Sequence, residues 1–170
     1  MHKQLVITVI GPDRPGIVES LAKAVKQAGG SWQASSMSEL AGQFAGILQI
    51  TLPGEAVASL HTTLEALPNL QITLAEGEDH PEPQQQLMMT VTGNDRPGIV
   101  EELAATLCRL SVNVIDLTTG CEPAPHSGAP LFFAHTLVAL PDSLDEEQLI
   151  EALEALSDDL MIDIDRDKDA

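Results

Sequence analysis

The sequence predicts an α+β fold built from two copies of one β-α-β-β-α-β unit, each an antiparallel sheet with its helices on one face. Three observations predict it. Residues 8–22 (TVIGPDRPGIVESLA) recur as residues 90–104 (TVTGNDRPGIVEELA), with twelve of fifteen positions identical. Leu-Glu-Ala-Leu recurs at 64–67 and 153–156, so the duplication runs past the opening segment. Hydrophobic periodicity also changes from strand-like to helical and back in the same order in both halves. An internal repeat fixes the architecture before any single residue is interpreted. The order is that of the ferredoxin-like split unit. The chain therefore reads as two tandem ferredoxin-like domains, 1–77 and 87–166, with a linker at 78–86 and an acidic tail at 167–170.

The elements follow in turn. Leu5, Ile7 and Val9 alternate, which predicts a strand. Gly11-Pro12-Asp13-Arg14 makes a turn, and Pro15 suits the first helical position, where a missing N–H costs nothing. Ile17, Val18, Leu21, Ala22, Val25 and Ala28 then follow at helical spacing until Gly29-Gly30 stops the helix. Residues 31–40 and 44–52 predict a hairpin around Ala41-Gly42-Gln43. Val57, Leu60, Leu64 and Leu67 mark a second helix, closed by Pro68, and Leu70, Ile72 and Leu74 a last strand.

The second half repeats this plan. Met89 and Val91 lie in its first strand, and Ile99, Leu103 and Leu107 line its first helix. Strands follow at about 112–121 and 131–140. Ser143-Leu-Asp-Glu146 reads as a capping box ahead of the last helix. The repeat offset grows from 82 at the motif to 88 at Leu-Pro (52–53 and 140–141), so six extra residues fall in the second hairpin, around the Pro-rich 122–130. Between the halves, residues 77–86 are polar and Pro-bearing, as a linker is. Strands such as Ile47-Leu-Gln-Ile and Leu131-Phe-Phe-Ala carry apolar residues on both faces. Helices cover only one face, so the other is expected to be buried by the sister domain or by another subunit.

Charge restricts the function classes. Eight Lys and Arg stand against 26 Asp and Glu, for a net charge of −18. Phosphate neutralisation by basic side chains supplies most nucleic-acid affinity, so direct DNA or RNA binding is not expected. An anionic membrane surface is disfavoured for the same reason. Nine acidic residues fall in 1–85 and seventeen in 86–170, a surface for solubility or for a basic partner protein. There is no apolar run of the ~20 residues a membrane span needs, and no signal-peptide pattern follows Met1, so the cytoplasm is the expected location. Cys108 and Cys121 are the only cysteines; Cys108 is expected as a buried thiol on an apolar helix face. His2, His61, His80, His126 and His135 are scattered, so neither a metal site nor a catalytic set is legible. No enzyme activity and no cofactor are expected.

The informative site is the duplicated Asp-Arg-Pro-Gly turn. It connects a first strand to a first helix, where free N–H groups and the positive end of the helix dipole converge. Gly16 and Gly98 would let a small carboxylate approach the backbone, while Asp13 and Asp95 could accept from an ammonium group. Together these suit the two charged ends of a free amino acid. Simple turn chemistry remains open beside that reading: Asp as a helix cap, Arg paired with a nearby Glu, and Pro-Gly as a bend.

A β-α-β-β-α-β unit opening with Gly-x-Asp-Arg-Pro-Gly-Ile-Val resembles the ACT domain, a regulatory amino-acid-binding module, and the resemblance covers about 3–77 and 86–166. Two such units with no catalytic domain resemble the family of glycine cleavage system transcriptional repressors. The resemblance implies paired sheets, within the chain or in a homo-oligomer, and ligands near the first strand–helix loop. The implied ligand residues are Asp13, Arg14, Pro15, Gly16 and Ile17, with Asp95, Arg96, Pro97, Gly98 and Ile99 in the second copy. Asn113 matches a family Asn at the start of the second strand, where the first half has Ser31, so the better site is expected in the second half. Repression by contact with a transcriptional activator, in response to glycine, is implied. A general amino-acid sensor for another pathway and a purely structural interaction module are the alternatives.

Overall fold

The structure is a computed structural model that describes residues 1–78 and 85–165. It divides into two compact units, Met1–Asp79 and His80–Ala170. The acidic tail and most of the expected linker lie outside the described residues.

The first unit runs β1 (His2–Pro12), α1 (Ile17–Gln27), β2 (Ser31–Leu40), β3 (Gln43–Pro53), α2 (Val57–Glu65) and β4 (Gln71–Glu76). Its sheet order is β2-β3-β1-β4, antiparallel throughout. The second unit repeats this as β5 (Gln86–Asn94), α3 (Ile99–Arg109), β6 (Asn113–Pro123), β7 (Pro130–Ala139), α4 (Glu146–Glu154) and β8 (Met161–Asp165), with order β6-β7-β5-β8. The predicted α+β class with tandem ferredoxin-like units is the observed one. β5 begins at Gln86, the last residue of the expected linker.

Alternation builds each core. Leu5, Ile7 and Val9 of β1 and Leu48, Ile50 and Leu52 of β3 point one way and meet Ile17, Leu21 and Val25 of α1 and Leu60 and Leu64 of α2. In the second unit Met89, Val91, Phe132 and Val138 meet Ile99, Leu103 and Leu107 of α3 and Leu149 and Leu153 of α4. On the opposite sheet face Ile10, Ile47 and Met88 stay 47%, 50% and 41% exposed.

The hairpins account for the offset. β2 and β3 are joined by Ala41 (φ 52°) and Gly42 (φ 80°), a two-residue turn of the primed kind that matches strand twist. β6 and β7 gain one further pair, Pro123 with Pro130, and a longer loop at 124–129. Both edge strands carry a bulge at the same repeat position, between Trp32 and Ala34 and between Val114 and Asp116.

Three local expectations are corrected. Pro15 does not open a helix: α1 starts at Ile17, and Gly16, left-handed at φ 89°, is its N-cap. That glycine turns the chain between the proline and the helix, so the ring belongs to the preceding turn. Ser143 is not the cap of α4: Asp145 is, with its carboxylate accepting from Gln148 N–H (2.9 Å) and the Gln148 side chain accepting from Asp145 N–H (3.0 Å). Cys108 is exposed, not buried. Leu103, Thr106 and Leu107 fill the inward face of α3, and one residue further is a rotation of about 100° out of it.

Candidate functional site

The first and last residues of Gly-x-Asp-Arg-Pro-Gly have different physical causes. A Cβ on Gly11 would lie 2.3 Å from the Asn69 carbonyl oxygen, so this glycine admits the loop before β4. Gly93 does the same against Leu160, at 2.6 Å. Gly16 and Gly98 are crowded by nothing within 4 Å; they are required by φ of 89° and 86°, a region other residues enter only at a cost.

These corners are open and uncapped. Among the described residues no side chain caps α1 or α3, so Asp13 and Asp95 do not serve as helix caps. Their own N–H groups bind across the hairpin ends, to Gly42 O at 2.9 Å and to Pro130 O at 3.0 Å. The helix ladders begin with Ser20 N–H to Gly16 O and Glu102 N–H to Gly98 O, both at 3.0 Å. In α3 the Ile99 N–H already donates to the Arg96 carbonyl at 3.4 Å; the other amides ahead of the ladders have no acceptor within them and carry the positive dipole end. Such a corner can hold an anion of carboxylate size.

The arginines differ between the copies, and one substitution in the repeat explains it. Position 102 is Glu where position 20 is Ser. Arg96 therefore makes a two-pronged pair with Glu102, at 2.8 and 2.6 Å. The pairing holds the Glu102 carboxyl below the usual carboxylate range and pushes the Arg96 guanidinium up. Arg14 instead donates to the Pro68 carbonyl at 2.9 Å, and its Nε has no partner among the described residues. Each arginine thus ties its turn to its own unit.

In the second unit a cleft of about 620 Å³ joins Asp95, Arg96, Gly98 and Ile99 to Thr119, Gly120 and Cys121 of β6 and to Phe132 of β7. The Ile17 and Ile99 side chains are core, only 2% and 4% exposed, so these residues offer the site their backbone. The Cys121 thiol is pushed up, first by desolvation and then by the Asp95 carboxylate, to which it hydrogen-bonds. Asp159 accepts from Asn94 N–H at 2.8 Å at the same end of the sheet; its hydrogen bonds with Ser157 and Asn94, and then Arg96 nearby, lower its pKa. The β6 residues were not singled out from sequence. Their signal was register: Glu122 and Asn94 both pair with Leu131, which places the end of β6 beside the turn.

Asn113 is not brought to this turn. It pairs with Ala139 at the far end of β6. Eight residues separate it from Cys121, roughly 26 Å at ~3.3 Å per residue. Among the described residues, no group of three or more His, Cys, Asp or Glu could hold a metal ion, and no helix is long and apolar enough to cross a membrane.

A family model described as the ACT domain matches residues 3–74 and 85–120. The chain belongs to the ACT domain family. It is 26% identical over 161 residues to the glycine cleavage system transcriptional repressor of Escherichia coli (strain K12), covering 92% of this chain and 85% of that one. The protein of that name from Shigella flexneri matches to the same extent. A crystal structure of an unknown protein from Galdieria sulphuraria is 30% identical with a TM-score of 0.82, covering 96% of this chain and 98% of its own. This ACT protein carries the same four-stranded unit twice, over nearly its full described length.

Proposed function

We propose that this ACT protein is an amino-acid-responsive repressor of the glycine cleavage system, working in the cytoplasm through a protein partner and without catalysis of its own. The observation that carries the reading is the pair of uncapped, open corners at Gly16 and Gly98. A free amino acid would place its carboxylate on the amides that begin α1 or α3. Its ammonium group would face Asp13 or Asp95, both exposed. Glycine suits such a site because only its two charged ends need partners. The net charge of −18 supports action on a basic protein rather than on an operator. Ligand and partner are coupled only if the partner prefers one of the two ligation states.

Calorimetry tests the sensing step. Glycine should bind the wild-type chain, and the double variant Asp13→Ala/Asp95→Ala should lose that binding while keeping its circular dichroism spectrum. Absence of binding by every amino acid tried removes the sensor. Tight binding of operator DNA by the purified chain alone at physiological salt would remove the partner-mediated route.

A further inference from the structure

The two turns are near copies, but their surroundings are not. In the second unit an apolar groove of about 40 Å³ runs between α3 and the edge strand β6, walled by Val100, Leu103 and Ala104 on one side and by Val114, Leu117 and Thr119 on the other. It is continuous with the cleft at the Asp95–Gly98 turn, because Val100, Ala104, Thr119 and Phe132 line both. The repeat offset of 82 maps Val114, Leu117 and Thr119 onto Trp32, Ser35 and Met37, and the shared bulge position confirms the alignment of the strands. Trp32 and Met37 pack against the core of the first unit. Val114 and Leu117, by contrast, are 39% and 48% exposed. Trp32 and Met37 therefore occupy in the first unit the ground that Val114 and Thr119 leave open in the second, while between them Leu117 is larger than Ser35.

Resting on the amino-acid reading above, we propose that the second unit binds an amino acid with an aliphatic side chain of about leucine's size, laid in the α3–β6 groove. The first unit takes a ligand of glycine's size. A water-sized probe needs about 10–15 Å³, so 40 Å³ has room for a short branched chain and not for an indole. The groove walls offer a guest apolar contact, so a longer polar side chain gains nothing there. Each methylene buried is worth about fourfold in affinity, so leucine should exceed alanine by more than tenfold in the second unit.

The experiment is calorimetry on the full chain with glycine, alanine, leucine and tryptophan, repeated with Val114→Trp, which installs the residue of the first unit, and with Leu117→Phe, which fills the groove from the middle of β6; neither residue lines the cleft at the turn. Both positions are exposed, and a circular dichroism melt checks folding. Leucine binding at least tenfold tighter than glycine at one site, lost in either filled variant while glycine binding persists, supports the proposal. Leucine no tighter than alanine, or leucine affinity unchanged in both filled variants, overturns it and leaves the sensor standing. Lack of binding by any of the four amino acids overturns the sensor itself.

Discussion

Replacing Gly16 and Gly11 by alanine, one at a time, separates two reasons for glycine in one motif. At Gly16 the new methyl meets nothing within 4 Å, so only the left-handed backbone at φ 89° resists it. That costs about 1–2 kcal/mol, partly offset by the less flexible unfolded chain. At Gly11 the methyl would sit 2.3 Å from the Asn69 carbonyl oxygen and 2.8 Å from Leu70 Cδ2. The leucine can rotate; the carbonyl is backbone, so the loop must lift off β1. Overpacking of this kind costs about 1–3 kcal/mol even when side chains can yield, and here the larger value applies. Trp32 is the sole tryptophan and packs against the first unit's core, so its fluorescence follows the unfolding of that unit. With a urea dependence of about 1 kcal/mol per molar, Gly16→Ala should lower the midpoint by roughly 1 M and Gly11→Ala by about 2 M or more. An unchanged midpoint for Gly16→Ala, or a larger fall than for Gly11→Ala, would refute the reasoning.

Asp145→Ala should destabilise the second unit by about 1 kcal/mol through loss of its cap, whereas Ser143→Ala should change it by less than about 0.5 kcal/mol; urea melts followed by circular dichroism compare the two. The Arg96 pairing depresses the Glu102 pKa in the folded state, so its stabilisation is present above the ordinary glutamate value of about 4.3 and is lost as pH falls through the folded value. Glu102→Gln should therefore be less stable than the wild type at neutral pH, and the gap should narrow as pH falls below the ordinary glutamate range, as thermal melts across an acid series will show. Asp95→Asn, in a Cys108→Ser background, should speed alkylation of Cys121 near neutral pH, because a carboxylate that raises the thiol pKa is removed; an unchanged iodoacetamide rate counts against that contact.

The duplication carried most of the fold. Identical residues at 8–22 and 90–104 placed both turns, and the change of offset located the extra residues at Pro123, Pro130 and the loop between them. What was not legible depended on backbone angle or on contacts distant in sequence. A proline before a glycine reads equally well as a helix start or a turn, and only the positive φ of Gly16 decides it. Ser143 and Asp145 are both good caps three residues from a Glu or Gln, and the packing of Leu149 and Leu153 selects the second. Cys108 shares an apolar stretch with Leu107, yet lies a step of about 100° off the buried stripe. At the site, the turn was visible as a motif, but its β6 wall came from hairpin register. That register also carried Asn113 away from the turn of its own unit.

Amide chemical shifts during a glycine titration of isotopically labelled protein test the central claim most directly. The account predicts saturable changes at the start of α1, from Gly16 to Glu19, and at the Asp95 turn and the start of α3. Saturable changes confined to other parts of the chain, with both turns unmoved, would contradict it.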